Sequence, residues 1–300
     1  MAALMQRFQI KDLEEFSGVK AHTIRMWERR YGLLSPDRTS TNIRTYGIDE
    51  LKAIMNVAFL NQHGYKISKI ASLSAAERDR LVRTVAVSEE PGPGAIGTLK
   101  MAMLSFDEVL FESVSGRYRE EHSFTDLIEQ VYVPLLEQIG VLWQTSSICP
   151  AHEHFISNLI RQKLLMAING LPLSSPRNDR IHILYLPENE LHELGLLYVN
   201  YLLRLKGERT IYLGQSVPHK DLEQLTSVFR EHLVLITIVT TEPQPSEVPR
   251  FLAALRAMIP SDRADFWIAG QQMGKVDAST VPSGIRTFHS MGALLQAVNG

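Results

Sequence analysis

The 300-residue chain is 45% hydrophobic and 21% charged, an ordinary globular composition that excludes fibrous and disordered classes. No apolar run approaches the ~20 residues that cross a bilayer and the first residues lack the apolar core of a signal peptide, so a cytoplasmic protein is expected. A net charge of −2 favours no partner by itself, and a single cysteine, Cys149, excludes internal disulfides and a cysteine-rich zinc site.

The charge is unevenly distributed. Residues 1–73 hold eleven Lys and Arg against seven Asp and Glu, whereas the remainder holds twenty against twenty-six. The basic end is a candidate polyanion binder.

The first piece, 1–87, predicts short helices separated by turns. "IKDLEEFSGVKAHTIRMWERRYGLL" places Leu13 and Phe16 on one helix, a turn at Gly18, and Ile24 and Trp27 on one face of a second helix, which is a helix-turn-helix pattern. "SPDRTSTNIRTYGIDEL" then suits a hairpin wing before a further helix. Lys20, Arg25, Arg29, Arg30, Arg38 and Arg44 face only Glu28 and Asp37 over residues 20–46, as a recognition helix and a phosphate-contacting wing require. The order "TIRMWERRYGLL", "RTY", "FLNQHGYKISKI" resembles the MerR family of winged-helix regulators. That resemblance implies binding to double-stranded promoter DNA, with Thr23, Arg25 and Arg29 in the major groove and Arg38, Arg44 and Tyr46 on the backbone.

Pro91 and Pro93 break the helical pattern, so 88–97 is expected to be a linker and dimerisation must come from elsewhere. Residues 98–175 show apolar positions three and four apart in "FDEVLFESVSGRY", "FTDLIEQVYVPLLEQIGVLW" and "AHEHFISNLIRQKLLMAING". With the preceding helix they predict a four-helix bundle. Residues 178–300 alternate the apolar runs "IHILYLP", "RTIYLG", "HLVLITIVT", "ADFWIAG" and "GIRTFH" with helix-like stretches of 10–20 residues. This predicts a doubly wound, flavodoxin-type parallel sheet, and the fold class is therefore multidomain α and α/β.

The first of these strands leads into "PENELHELG". A histidine at the carboxyl edge of such a sheet, with a carboxylate two residues earlier, matches a metal-ligating imidazole whose tautomer the carboxylate fixes. Glu190, His192 and Gly195 resemble the cobalamin-binding signature. The resemblance implies His192 as the lower axial ligand of cobalt, with the displaced nucleotide tail running beside the sheet. Thr237 stands where that family carries serine, and Ala269 and Gly270 stand where it carries two glycines. Trp143 with Glu153 and His154 resembles the cap over the upper corrin face in cobalamin-binding MerR regulators, whose domain order is the same. Light-sensing members place a histidine after that tryptophan, where this chain has Gln144.

The function implied is a transcriptional repressor that adenosylcobalamin assembles into a homo-oligomer, a photoreceptor if light cleaves the cobalt-carbon bond. The alternative is a MerR-type regulator whose carboxyl-terminal domain assembles without cobalamin or with another ligand. A cobalamin methyl carrier or mutase subunit uses the same bundle and sheet but needs a substrate domain, and a DNA reader stands in its place.

Overall fold

The computed structural model describes residues 7–88, 94–144, 149–172 and 180–299, excepting the side chains of 86–88, 141–144 and 275. The chain divides into two compact units, Met1–Leu159 and Ile160–Gly300.

In the first unit, α1 (Ile10–Ser17) buries Leu13 and Phe16, and α2 (Ala21–Tyr31) buries Ile24 and Trp27. Gly18 separates them at φ 69°, a left-handed conformation that glycine adopts without steric penalty. The wing is a two-stranded antiparallel ribbon, β1 (Asp37–Arg38) and β2 (Arg44–Thr45). Next comes α3 (Ile48–Gln62), which buries seven residues between Leu51 and Leu60, too many for one stripe. It therefore packs on several sides: against α1, α4 (Ile67–Ser72), α5 (Ala75–Ser88) and α6 (Ala95–Ser105).

Helix α6 begins inside the stretch expected to be a linker; Pro91 and Pro93 lie outside the described residues. It is followed by α7 (Glu108–Glu121), whose cap residue Asp107 accepts a hydrogen bond from the Leu110 amide and an ion-pair contact from Arg83 of α5 at 3.0 Å. The winged helix thus shares one packed unit with the helices after it. Helix α8 (Phe124–Asp126) continues through a π-helical turn, Leu127–Tyr132, into α9 (Val133–Gln144). The wide turn precedes Pro134, which lacks an amide hydrogen and whose ring displaces the carbonyl four residues earlier. Helix α10 (Pro150–Asn169) starts on proline and contains the division between the units.

The second unit is a five-stranded parallel sheet in the order β4-β3-β5-β6-β7, with β3 Arg180–Pro187, β4 Thr210–Val217, β5 His232–Ile238, β6 Ala264–Ala269 and β7 Ile285–Phe288. Its chain reversal falls between β3 and β5, the switch point where ligands of doubly wound sheets bind. Strand β3 is buried from Ile181 to Pro187 and β5 from Leu233 to Ile238, which is why both read as unbroken apolar runs. Helices α11 (Leu194–Leu205), α13 (Val248–Met258) and α14 (Met291–Asn299) cover the sheet connections. Two connections depart from the expected helices. After β4 there is a 3-10 turn, His219–Gln224, and the one-turn α12 (Leu225–Val228); after β6 only 3-10 turns, Gln271–Lys275 and Ala278–Thr280, occur. Gly270, Gly274, Pro282 and Gly284 interrupt the second of these segments too often for an α-helix to propagate.

Candidate functional site

The loop from β3 to α11 is organised around Glu190, whose side chain is fully buried. One oxygen accepts hydrogen bonds from the amides of Leu191 and His192, each at 3.0 Å. The other accepts from the amides of Thr240, Thr241 and Glu242 at 3.0, 2.6 and 3.0 Å, from the segment that follows β5. The carboxylate therefore ties together the two strand ends that flank the switch point. On the other side the loop is tied to β4, through the Ser216 amide to the Glu190 carbonyl at 3.3 Å and Gln215 Nε2 to the Leu191 carbonyl at 2.7 Å.

The same carboxylate lies 2.6 Å from His192 Nδ1. A carboxylate can only accept, so Nδ1 donates this bond and Nε2 is the nitrogen left to face a metal, as in imidazole ligands that a carboxylate backs. Burial opposes the charge on Glu190, but the His192 bond and the amide donors outweigh it and hold the carboxyl well below the usual range. Position 192 thus combines an oriented ring with exposure, its side chain being 59% accessible.

The neighbouring Glu193 was not singled out by sequence. It is buried, receives Arg161 Nε at 2.5 Å and Tyr212 OH at 2.7 Å, and precedes the first turn of α11. Burial, then the Glu193 carboxylate, pushes the Tyr212 phenol far above its ordinary range. These contacts anchor the loop behind His192, and their spacing of 32 and 19 residues leaves no local motif to detect.

Gly195, the glycine of the signature, is closely packed. A Cβ there would meet Ile238 Cδ1 at 3.2 Å and Met291 Cε at 3.4 Å, so the close approach is to the protein's own side chains. Gly270 is likewise required internally: at φ 121° its added Cβ would lie 2.4 Å from the Val239 carbonyl oxygen. Ala269 is fully buried in β6. Thr237, at the end of β5, has a buried Oγ1 with no hydrogen-bond partner among the described residues.

In the first unit, Glu153 and His154 are adjacent on α10, with Nδ1 2.8 Å from the Glu153 carboxylate and the imidazole 71% exposed. The side chains of Trp143 and Gln144 lie outside the described residues. His152 is buried, stacks on Phe106 at 4.8 Å and has Nδ1 3.2 Å from Cys149 Sγ. Burial, then nearby Lys52, lowers the basicity of His152.

On the winged helix, Lys20, Arg25, Arg29, Arg30 and Arg38 are exposed and Thr23 is half-buried. Arg44 is half-buried and its Nε binds Glu28 at 2.9 Å. Tyr46 corrects the expectation of a backbone contact: it is fully buried and its hydroxyl donates to Glu28 at 3.1 Å. The antiparallel bridge between Phe8 and Tyr46 draws the ring inward, and burial with Glu28 raises its phenol to about 12. Its role is to support the wing through Glu28 and Arg44. His22, Met26, Arg29 and Arg30 line a surface groove of about 260 Å³, of which His22 and Met26 had not been foreseen. The spacing 22, 26, 29 was the available signal, since these positions share a helix face opposite Ile24 and Trp27.

Residues 8–77 match the MerR HTH family regulatory protein description, and residues 95–167 match the B12 binding domain. The chain is 29% identical over 270 residues to the HTH-type transcriptional repressor CarH of Myxococcus xanthus, covering 88% of each. It is 30% identical over 257 residues to the HTH-type transcriptional repressor CarA of the same organism, covering 84% of this chain and 83% of that one. Among solved structures, the monomethylamine corrinoid protein of Methanosarcina barkeri superposes with a TM-score of 0.51 at 12% identity, over 72% of this chain and 95% of that one. The last comparison shows the fold alone. Cobalamin fits the residues present in two respects: the donor at the switch point is an imidazole backed by a buried carboxylate, and β5 ends in a buried hydroxyl, Thr237 Oγ1, without a hydrogen-bond partner among the described residues.

Proposed function

The chain belongs to the MerR-type HTH transcriptional repressors represented by CarA and CarH, and from that premise we propose that it represses transcription through assembly controlled by adenosylcobalamin. It is a cobalamin-linked DNA-binding regulator and not an enzyme. The observation that carries the proposal is the grip of Glu190 on His192: a buried carboxylate satisfied by five backbone amides holds an exposed imidazole in one orientation.

When bound, cobalamin would supply a cobalt centre able to accept a nitrogen ligand. His192 offers Nε2 to it, Glu190 holds the Nδ1 proton and the ring plane, and Glu193 with Arg161 and Tyr212 keeps the loop from yielding. Thr237 Oγ1 would be available to a polar group of the ligand, and Gly195 and Gly270 keep the adjoining backbone close-packed. Trp143, Glu153 and His154 are the proposed cobalamin contacts of the first unit. Lys20, Thr23, Arg25, Arg29, Arg30 and Arg38 engage promoter DNA, with Arg44 on the wing. Joining several chains brings several winged helices to one operator, where their phosphate contacts combine through effective concentration. The proposed location is the cytoplasm; no described helix is long and apolar enough to cross a membrane.

The test is size-exclusion chromatography and operator binding of the full chain, in the dark and after illumination, with and without adenosylcobalamin. Ligand-dependent growth in size with tighter DNA binding supports the proposal, and reversal by light makes the protein a photoreceptor despite Gln144. One observation favours a second reading, assembly without cobalamin: Ile238 and Met291 fill the space beside Gly195. An oligomer whose size and DNA affinity ignore every cobalamin form would establish that reading and overturn the first.

A further inference from the structure

Met26 is 48% exposed on α2, whose core-facing positions are taken by Ile24 and Trp27. About half of it is therefore open to solvent. Its neighbours are cationic or titratable: His22 one turn before it, Arg29 and Arg30 one turn after it, all four lining one groove, and Arg25 exposed beside it.

An apolar spot inside a basic ring poorly suits an apolar protein partner, because docking would strip water from several guanidinium groups without replacing their hydrogen bonds. It suits a surface that is polyanionic at its edges and carries an isolated apolar group at its centre. The major groove of DNA is such a surface: phosphates flank it, and the thymine 5-methyl is its apolar feature. A methionine adapts to this contact because its thioether is unbranched and has three rotatable bonds.

We propose that Met26 is a specificity residue that reads a thymine 5-methyl in the major groove of the operator, flanked there by Arg25, Arg29 and Arg30. The proposal rests on the assignment of α2 to the major groove. Lysine or arginine at position 26 would add phosphate affinity without this discrimination, whereas methionine discriminates thymine from cytosine by a methyl contact.

The test begins with selection of bound duplexes from a random pool by the full chain, with and without adenosylcobalamin in the dark. Each thymine of the selected site is then replaced singly by deoxyuridine, which removes the methyl and keeps the pairing. At one thymine position the replacement should weaken the wild-type chain about fourfold, the effect of withdrawing one methyl group from an apolar contact. Met26→Ala should bind the thymine site about as weakly as the wild type binds the uracil site and should ignore the replacement, while Met26→Leu restores sensitivity. The dependence of affinity on salt should be the same in all three chains, since no charge changes.

Uracil sensitivity retained in full by Met26→Ala, or the absence of any methyl-sensitive thymine, overturns the proposal. Arg29→Ala separates the two levels: strong loss of DNA binding there with no methyl effect at Met26 removes only the thymine contact. Unchanged binding in both variants removes the assignment of α2 to the groove. An effect of Met26→Ala on self-association alone would instead assign the residue to a protein contact and refute the DNA reading of it.

Discussion

Two carboxylate-histidine pairs in this protein have almost the same contact distance and different consequences. Glu190 meets His192 Nδ1 at 2.6 Å, and Glu153 meets His154 Nδ1 at 2.8 Å. Glu190 is fully buried and gathers amides from two strand ends, whereas Glu153 is 32% exposed on a helix surface beside an imidazole that is 71% exposed. Distance alone therefore does not identify a prepared ligand. What distinguishes the first pair is that the carboxylate is itself held in place, so the ring inherits a fixed orientation. The second pair is a solvated contact of the kind worth little on its own.

The largest effect should come from Glu190→Gln, which replaces an acceptor of five amides with a carboxamide whose NH2 group faces some of those donors. We expect a loss of about 3 kcal/mol in urea unfolding, because buried donors lose a charged acceptor. Cobalamin affinity in the same variant should fall about 10- to 100-fold, as for other removed partners of a ligating histidine. An unchanged affinity would make the two pairs equivalent.

The pH dependence follows in size. The Glu190 carboxyl titrates lower folded than unfolded, so its stabilisation is fully present above the ordinary carboxylate value of about 4.5 and is lost as pH falls from there toward the depressed folded value. The contribution of the Glu190 carboxyl to the gap between wild type and Glu190→Gln in urea unfolding is therefore read from about pH 5 downward, below the range in which histidines ionise. The gap should narrow in more acidic buffer. A gap that widens on acidification would contradict the described hydrogen bonding.

A smaller effect, with opposite signs in the two states, is expected at Thr237. Its buried hydroxyl lacks a described partner, so Thr237→Val should leave the ligand-free protein equally stable or about 1 kcal/mol more stable while weakening cobalamin binding severalfold. Calorimetric melting and an absorbance titration check the two halves. The smallest effect is expected at Glu153→Gln, below about 0.5 kcal/mol in stability, since its partner is exposed.

The legible and illegible parts of the sequence divide along local and long-range contacts. The strands were legible because β3 and β5 are covered on both faces and read as continuous apolar runs. The helix-turn-helix was legible because Leu13, Phe16, Ile24 and Trp27 keep helical spacing around Gly18. Glu190 and His192 stood out by their separation of two residues. The remainder of that site did not, because its donors Thr240, Thr241 and Glu242 lie about fifty residues away and carry no motif of their own. Arg161 and Tyr212 were hidden for the same reason. Tyr46 was misplaced because a tyrosine in a basic wing reads as a phosphate contact until its bridge to Phe8 and its bond to Glu28 are seen. The helix expected after β6 does not form because Gly270, Gly274, Pro282 and Gly284 fall too close together for one to propagate.

The most direct measurement is an absorbance titration with adenosylcobalamin in the dark, run in parallel on the wild-type chain and on His192→Ala. The account predicts a base-off spectrum with histidine ligation in the wild type and its loss in the variant, whose melting temperature should stay within a few degrees of wild type because the ring is exposed. The same spectrum and affinity in both chains would contradict the central claim that the Glu190-held imidazole is the cobalt ligand.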